Sequence, residues 1–150
     1  MAECTRSGSR QLPVLVRLDD GMPAFTGIDH LALTVTDLAV SVPFYERLWA
    51  MPAVGVLEGT NLQRRVFQLP SGTTVGLTQH SEVPTAKFSP FTPGMDHVGF
   101  GVDSINELTV WVTHLDTEGI PHSGIVEADY GFALSIKDPD GTALEFFVRK

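Results

Sequence analysis

The chain has 150 residues, 43% of them hydrophobic and 19% charged, the profile of one globular unit long enough to enclose a core. Eighteen Asp and Glu against ten Lys and Arg leave a formal charge of −8, which repels a phosphate backbone and argues against nucleic-acid binding through a basic surface. The lone Cys4 excludes an internal disulfide and any Cys-x-x-Cys site, and no apolar run reaches the roughly 18 residues that span a bilayer.

Residues 1–26 form an N-terminal extension in which Leu12 to Leu18 could add an edge strand and the first ten residues are expected to be mobile. The start has no uninterrupted apolar stretch of the kind that directs secretion, so a cytoplasmic protein with no membrane partner is expected. A strand is predicted over 28–36, then a helix whose Leu38, Val42, Tyr45 and Trp49 recur near a 3.6-residue period. An interior proline costs about 3 kcal/mol, so the regular helix is expected to begin near Ser41, with Pro43 in its first turn. Strands follow over about 53–57, 62–69 and 73–79. Residues 81–93 carry three prolines and no periodicity, and read as a linker.

The pattern then restarts. Gly27-Ile28-Asp29-His30 through Val35 returns 67 residues later as Gly94-Met95-Asp96-His97 through Val102. A second helix is marked by Ile105, Leu108, Val112 and Leu115, and strands are predicted over 95–102, 121–127, 131–137 and 142–148. The organisation is a single domain over 27–150, built from a first module (27–80), the linker and a second module (94–150).

Side chains alternate along a strand, so Leu31, Leu33 and Val35 face the helix while His30, Ala32 and Thr34 face the open side. In the second copy His97, Gly99 and Gly101 take the open side, and in the closing strand Glu145 shares its face with Ala143 and Phe147. A single strand histidine is ordinarily a surface or hydrogen-bonded residue. Two at one repeat position, with a carboxylate of matching parity, form a donor set suited to a divalent first-row metal, provided the two sheets curve around a common cavity. His80 and Tyr130 are candidates for substrate contact or proton transfer, His122 is ambiguous, and His114 is expected at the surface.

Asp29-His30 with Asp37-Leu38, Ser41 and Phe44-Tyr45, then Asp96-His97, then Asp138-Pro139-Asp140-Gly141 leading to Leu144-Glu145, resemble the vicinal oxygen chelate superfamily. This is the group of glyoxalase I, extradiol dioxygenases, fosfomycin-resistance and bleomycin-binding proteins. The resemblance covers 27–150. It implies an α+β fold in which two βαβββ modules form an eight-stranded, partly open barrel around a cavity, with His30, His97 and Glu145 as metal ligands. The superfamily's fourth ligand position falls on Gly76, which has no donor atom; this favours the three-ligand members. Ser135 stands where the fosfomycin-resistance members resemble one another in having a Tyr.

The function expected is a divalent-metal enzyme, dioxygenase-like or a glyoxalase-like lyase or isomerase, that chelates vicinal oxygens of a small-molecule substrate. Fe(II) is favoured, with Mn, Zn, Ni or Co possible. Glu145, Tyr130 and His80 are the candidates for moving a proton. The alternative is a non-catalytic protein that sequesters a small molecule. A homodimer is expected, because the modules leave edge strands and a shallow cavity that many superfamily members complete by pairing.

Overall fold

The computed structural model describes residues 25–82 and 86–150. The edge strand expected over Leu12 to Leu18, and Cys4, lie outside the described residues. In chain order the elements are β1 (His30–Thr34), α1 (Leu38–Trp49), β2 (Gly55–Glu58), β3 (Leu62–Gln68), β4 (Thr74–His80), β5 (Val98–Gly101), α2 (Ile105–Thr117), β6 (His122–Ala128), β7 (Gly131–Lys137) and β8 (Ala143–Arg149). They form two four-stranded mixed sheets of identical plan, β1-β4-β3-β2 and β5-β8-β7-β6, each with one parallel pair between its first and last strands. This is the expected α+β arrangement of two βαβββ units. Among the described residues no strand of one sheet pairs with a strand of the other, so the arrangement is open.

Most elements lie within one or two residues of their predicted limits; β5 starts three residues later than predicted, at Val98, and β1 and α1 differ for physical reasons. β1 begins at His30, where its register with β4 begins opposite Thr74; the Thr74 amide still donates to the Asp29 carbonyl at 3.2 Å, which tethers the approach to the strand. The helix α1 begins at Leu38, three residues before the predicted start, and contains Pro43 in its interior. Its N-terminus is held by other means. The Asp37 side chain accepts from the Ala39 amide at 2.8 Å, and the Gln79 side chain accepts from the Leu38 amide at 2.8 Å. Leu38, Ser41, Tyr45, Leu48 and Trp49 are buried, which offsets the missing proline donor. The turns before the closing strands recur as the sequence repeats, with Gly72 at φ 93° and Gly141 at φ 88°, conformations that an L side chain would strain.

Both units bury their helix-side faces in one continuous core. Leu33, Val35, Phe67, Val75 and Leu77 from the first sheet join Leu134, Ile136, Leu144 and Phe146 from the second, around Tyr45, Leu48, Leu108 and Leu115 of the helices. Trp49 meets Phe100 edge-on at 5.8 Å, and Trp111 stacks on Phe146 at 3.9 Å. Polar clasps fasten the same junction. The buried Tyr45 hydroxyl donates to Asp138 at 2.9 Å, and Thr36 donates through both its amide and hydroxyl to Asp140. His114, expected at the surface, is half-buried instead: its Nε2 donates to the carbonyls of Arg47 and Leu48 at 2.9 and 3.1 Å, satisfying the C-terminal end of α1. Among the described residues no helix is long and apolar enough to cross a membrane.

Because the apolar faces share one core, the opposite faces of both sheets turn to solvent. Those two faces carry the candidate site residues.

Candidate functional site

On the second sheet, register places Gly99 of β5 and Ser135 of β7 on either side of Glu145 in β8. Paired residues of a ladder project to the same side, so Glu145 stands with Gly99 beside it and Phe147 two positions along. The two glycines of β5 leave space in front of the sheet. An open hollow of about 640 Å³ results, lined by His97, Glu145, Tyr130, Phe147 and Arg149 among others. His97 stands one residue ahead of β5. Tyr130 occupies the two-residue turn between β6 and β7, with its ring 5.6 Å from that of Phe147. Three of the residues singled out from sequence are therefore brought together here: His97, Glu145 and Tyr130.

His30 is not among them. It heads β1 on the open face of the first sheet, and among the described residues no three His, Cys, Asp or Glu side chains lie close enough to hold a metal. What His30 and His97 share is a local arrangement. His30 Nδ1 lies 2.9 Å from Asp29 Oδ2, and His97 Nδ1 lies 2.6 Å from Asp96 Oδ1. An ionised carboxylate only accepts, so in the neutral ring Nδ1 carries the proton and Nε2 keeps its lone pair. A carboxylate that fixes the ring this way is the usual support of a metal-binding histidine. Asp29 and Asp96 stand in the sequence as members of the recurring Asp-His motif, but a role in orienting the histidines follows only from these contacts.

The open face of the first sheet is set by the same register argument. Ala32 pairs with Gly76 and Val66 with Gly76, while Thr34 and Arg64 both pair with Thr78. His30, Ala32 and Thr34 therefore share this face with Gly76, Thr78, His80 and Arg64. At Gly76, which matches Glu145 in the repeat, a Cβ would come within 2.8 Å of Arg64 Cδ. The arginine lies across the glycine and donates from Nε to Thr78 Oγ1 at 2.7 Å. Thr78 is 2% exposed as a result of that cover. Arg64 was also not singled out from sequence, where an arginine in a strand reads as a solvated charge. His80 ends β4 opposite Leu62 and is exposed. The ambiguous His122 is explained by local structure: Nε2 donates to Asp116 at 3.1 Å and Nδ1 accepts from the Gly124 amide at 3.0 Å, at the bulge in β6.

Residues 27–146 match the model of the Glyoxalase/Bleomycin resistance protein/Dioxygenase superfamily. A probable trivalent organoarsenical cleaving enzyme of Bacillus subtilis (strain 168) is 29% identical over 125 residues, covering 81% of this chain and 79% of that protein. Among solved structures, a glyoxylase/bleomycin resistance protein/dioxygenase domain from Frankia sp. EAN1pec is 28% identical with a TM-score of 0.77, covering 85% of this chain and all of that one (100%). A fosfomycin resistance protein from Listeria monocytogenes shares the fold at 14% identity, with a TM-score of 0.65, 85% of this chain and 94% of that one covered.

Proposed function

Since the chain belongs to the Glyoxalase/Bleomycin resistance protein/Dioxygenase superfamily, we propose that it is a divalent-metal enzyme acting on a small molecule with vicinal oxygens, at a site completed by a second copy of the chain. His97 and Glu145 of one copy and His30 of the other are the ligands in this reading. The observation that carries it is the pair of Asp-supported histidines, each with its free Nε2 on an open sheet face, one of them lining the same hollow as Glu145. Two imidazoles and one carboxylate suit Fe(II) best, with Mn, Zn, Ni and Co as alternatives. The number of donors fits only when two copies pair, because each copy turns its two open faces away from a common core.

A metal held there would supply Lewis-acid charge to an enolate or catecholate developing on the substrate's oxygens. The chain's own residues do the rest. Glu145 occupies one side of the hollow as ligand; the Tyr130 phenol, on its hairpin turn, is placed to give or take a proton at its Oη; and the rings of Tyr130 and Phe147 form an apolar wall that limits water. His80, at the end of β4 on the opposing face, contacts the far part of the substrate. The arsenical cleavage named for the Bacillus relative is not favoured, since a soft arsenic(III) centre prefers thiolates and the chain has one Cys, Cys4.

Elemental analysis of protein purified without chelator tests the reading. About one metal per chain is expected in the wild type, with loss of metal in His30→Ala and in Glu145→Ala. A wild-type protein free of stoichiometric metal would sink the enzyme reading in favour of a sequestering protein. Oxygen uptake on a catechol panel by Fe(II)-loaded protein then separates ring cleavage from lyase or isomerase chemistry.

A further inference from the structure

The repeat allows one half of the molecule to serve as the reference for the other. Register aligns Val66, Gly76 and Thr78 of the first sheet with Ser135, Glu145 and Phe147 of the second, and Arg64 with Ala133. Where the second half presents a carboxylate, the first half has an empty position filled by a guanidinium from the neighbouring strand. The charge at equivalent places is inverted.

Arg64 is held but not neutralised. Its Nε is fixed on Thr78, whereas its terminal nitrogens have no hydrogen-bond partner among the described residues and are not sealed from solvent. Among the described residues, Arg65 is matched with Glu58, Arg47 with Glu118 and Lys150 with Glu127, while Lys87, Lys137 and Arg149 have no carboxylate within 4.0 Å but stand exposed in water. Arg64 alone of the arginines is half-buried with no carboxylate within 4.0 Å among the described residues. A part-desolvated guanidinium on the open, ligand-bearing face is a cost unless an anion meets it. Glycine at 76 is what permits the pose, because any side chain there would displace the arginine stem.

We propose that Arg64, laid across Gly76, selects substrates that carry an oxyanion, a carboxylate or a phosphate, next to the oxygens that chelate the metal. The proposal rests on the functional reading above for the word substrate, but the anion site itself is a property of the first sheet. The planar fork of the guanidinium offers two parallel N–H donors to such a group, which a lysine at the same place would not reproduce. The missing fourth protein ligand and the added cation then have one cause: an anionic substrate brings its own negative oxygen to the place where a carboxylate side chain would stand.

Calorimetric titration of the full-length protein with inorganic phosphate, and separately with acetate, provides the test, with metal content measured on the same samples. Saturable binding of at least one is expected, weakened about ten- to hundredfold in Arg64→Ala and less in Arg64→Lys. A preference for acetate identifies a carboxylate substrate and a preference for phosphate a phosphorylated one. Gly76→Glu, which introduces a carboxylate under the arginine, should abolish anion binding while Arg64 remains. Equal titrations for wild type and Arg64→Ala, or no saturable binding of either anion, would overturn the proposal. So would a loss of metal or of the native oligomer in Arg64→Ala with the anion titration unchanged. A wild type that binds phosphate or acetate through Arg64 but holds no metal would defeat the functional reading alone.

Discussion

At the scale of single residues, burial and charge act together most strongly on Tyr45 and Asp138. Burial, reinforced by the adjacent negative carboxylate, drives the Tyr45 phenol far above the usual tyrosine range near 10, and burial likewise raises the Asp138 carboxyl against the hydrogen bonds of Thr142 and Tyr45 that lower it. A group whose folded pKa is raised keeps its proton in the native state while the unfolded chain ionises. The stability it contributes is therefore complete below the unfolded value and is lost as pH rises beyond it, here from about pH 10 upward for Tyr45. Tyr45→Phe should lower stability by about 1–3 kcal/mol at neutral pH, because Asp138 loses a donor inside the core. In urea denaturation between about pH 8 and about pH 10.5 the wild type should lose stability that Tyr45→Phe does not. The same scale shows what a sequence reveals about a site. The side of the sheet on which His30, His97 and Glu145 lie was legible from strand parity. Arg64 was not, because its meaning depends on which glycine it crosses, and that is a fact of neighbouring strands rather than of its own.

At the scale of elements, the succession of strands and helices along the chain was legible in the repeat, whereas the order of strands within each sheet and the limits of the elements were decided by partners distant in sequence. Pro43 illustrates this. Local cost argued for a helix that started late, but an amide acceptor from β4 and the Asp37 cap hold the earlier turn, and the apolar stripe beneath it is buried along its length. The proline still leaves the Ala39 carbonyl without its usual partner, so Pro43→Ala should stabilise the protein by about 1–3 kcal/mol, seen as a higher midpoint in thermal denaturation. No change would mean that the proline's rigidity in the unfolded chain compensates. His114 is the converse case. Its helix spacing read as surface, and only the approach of the α1 terminus makes it a capping donor.

At the scale of the whole molecule, the sequence placed three candidate ligands on open faces, yet could not show that the two faces look outward from a shared core. That arrangement depends on how the two halves dock, and alternation within a strand separates its two sides without recording where the other half packs. Its consequence is testable by mixing. If two copies build each site, His30→Ala and Glu145→Ala, each inactive and metal-poor alone, should recover about a quarter of the wild-type metal on subunit exchange, because half the dimers would be mixed and each would hold one intact site. Light scattering should show a dimer at micromolar concentration, and no recovery from demonstrably mixed dimers would require all ligands to come from one chain.

The opposite charges at repeat-equivalent positions, Arg64 lying across Gly76 in one half and Glu145 in the other, would bear on the handedness of binding in the proposed site. A cavity walled by two equal repeats would accept a molecule with two adjacent oxygens in either of two poses related by the internal symmetry. In the site proposed between copies, a carboxylate on one wall and a guanidinium on the other would let only one pose place the substrate's negative group against the cation, so an unsymmetrical substrate would react at one of its two otherwise similar positions and yield a single regioisomer.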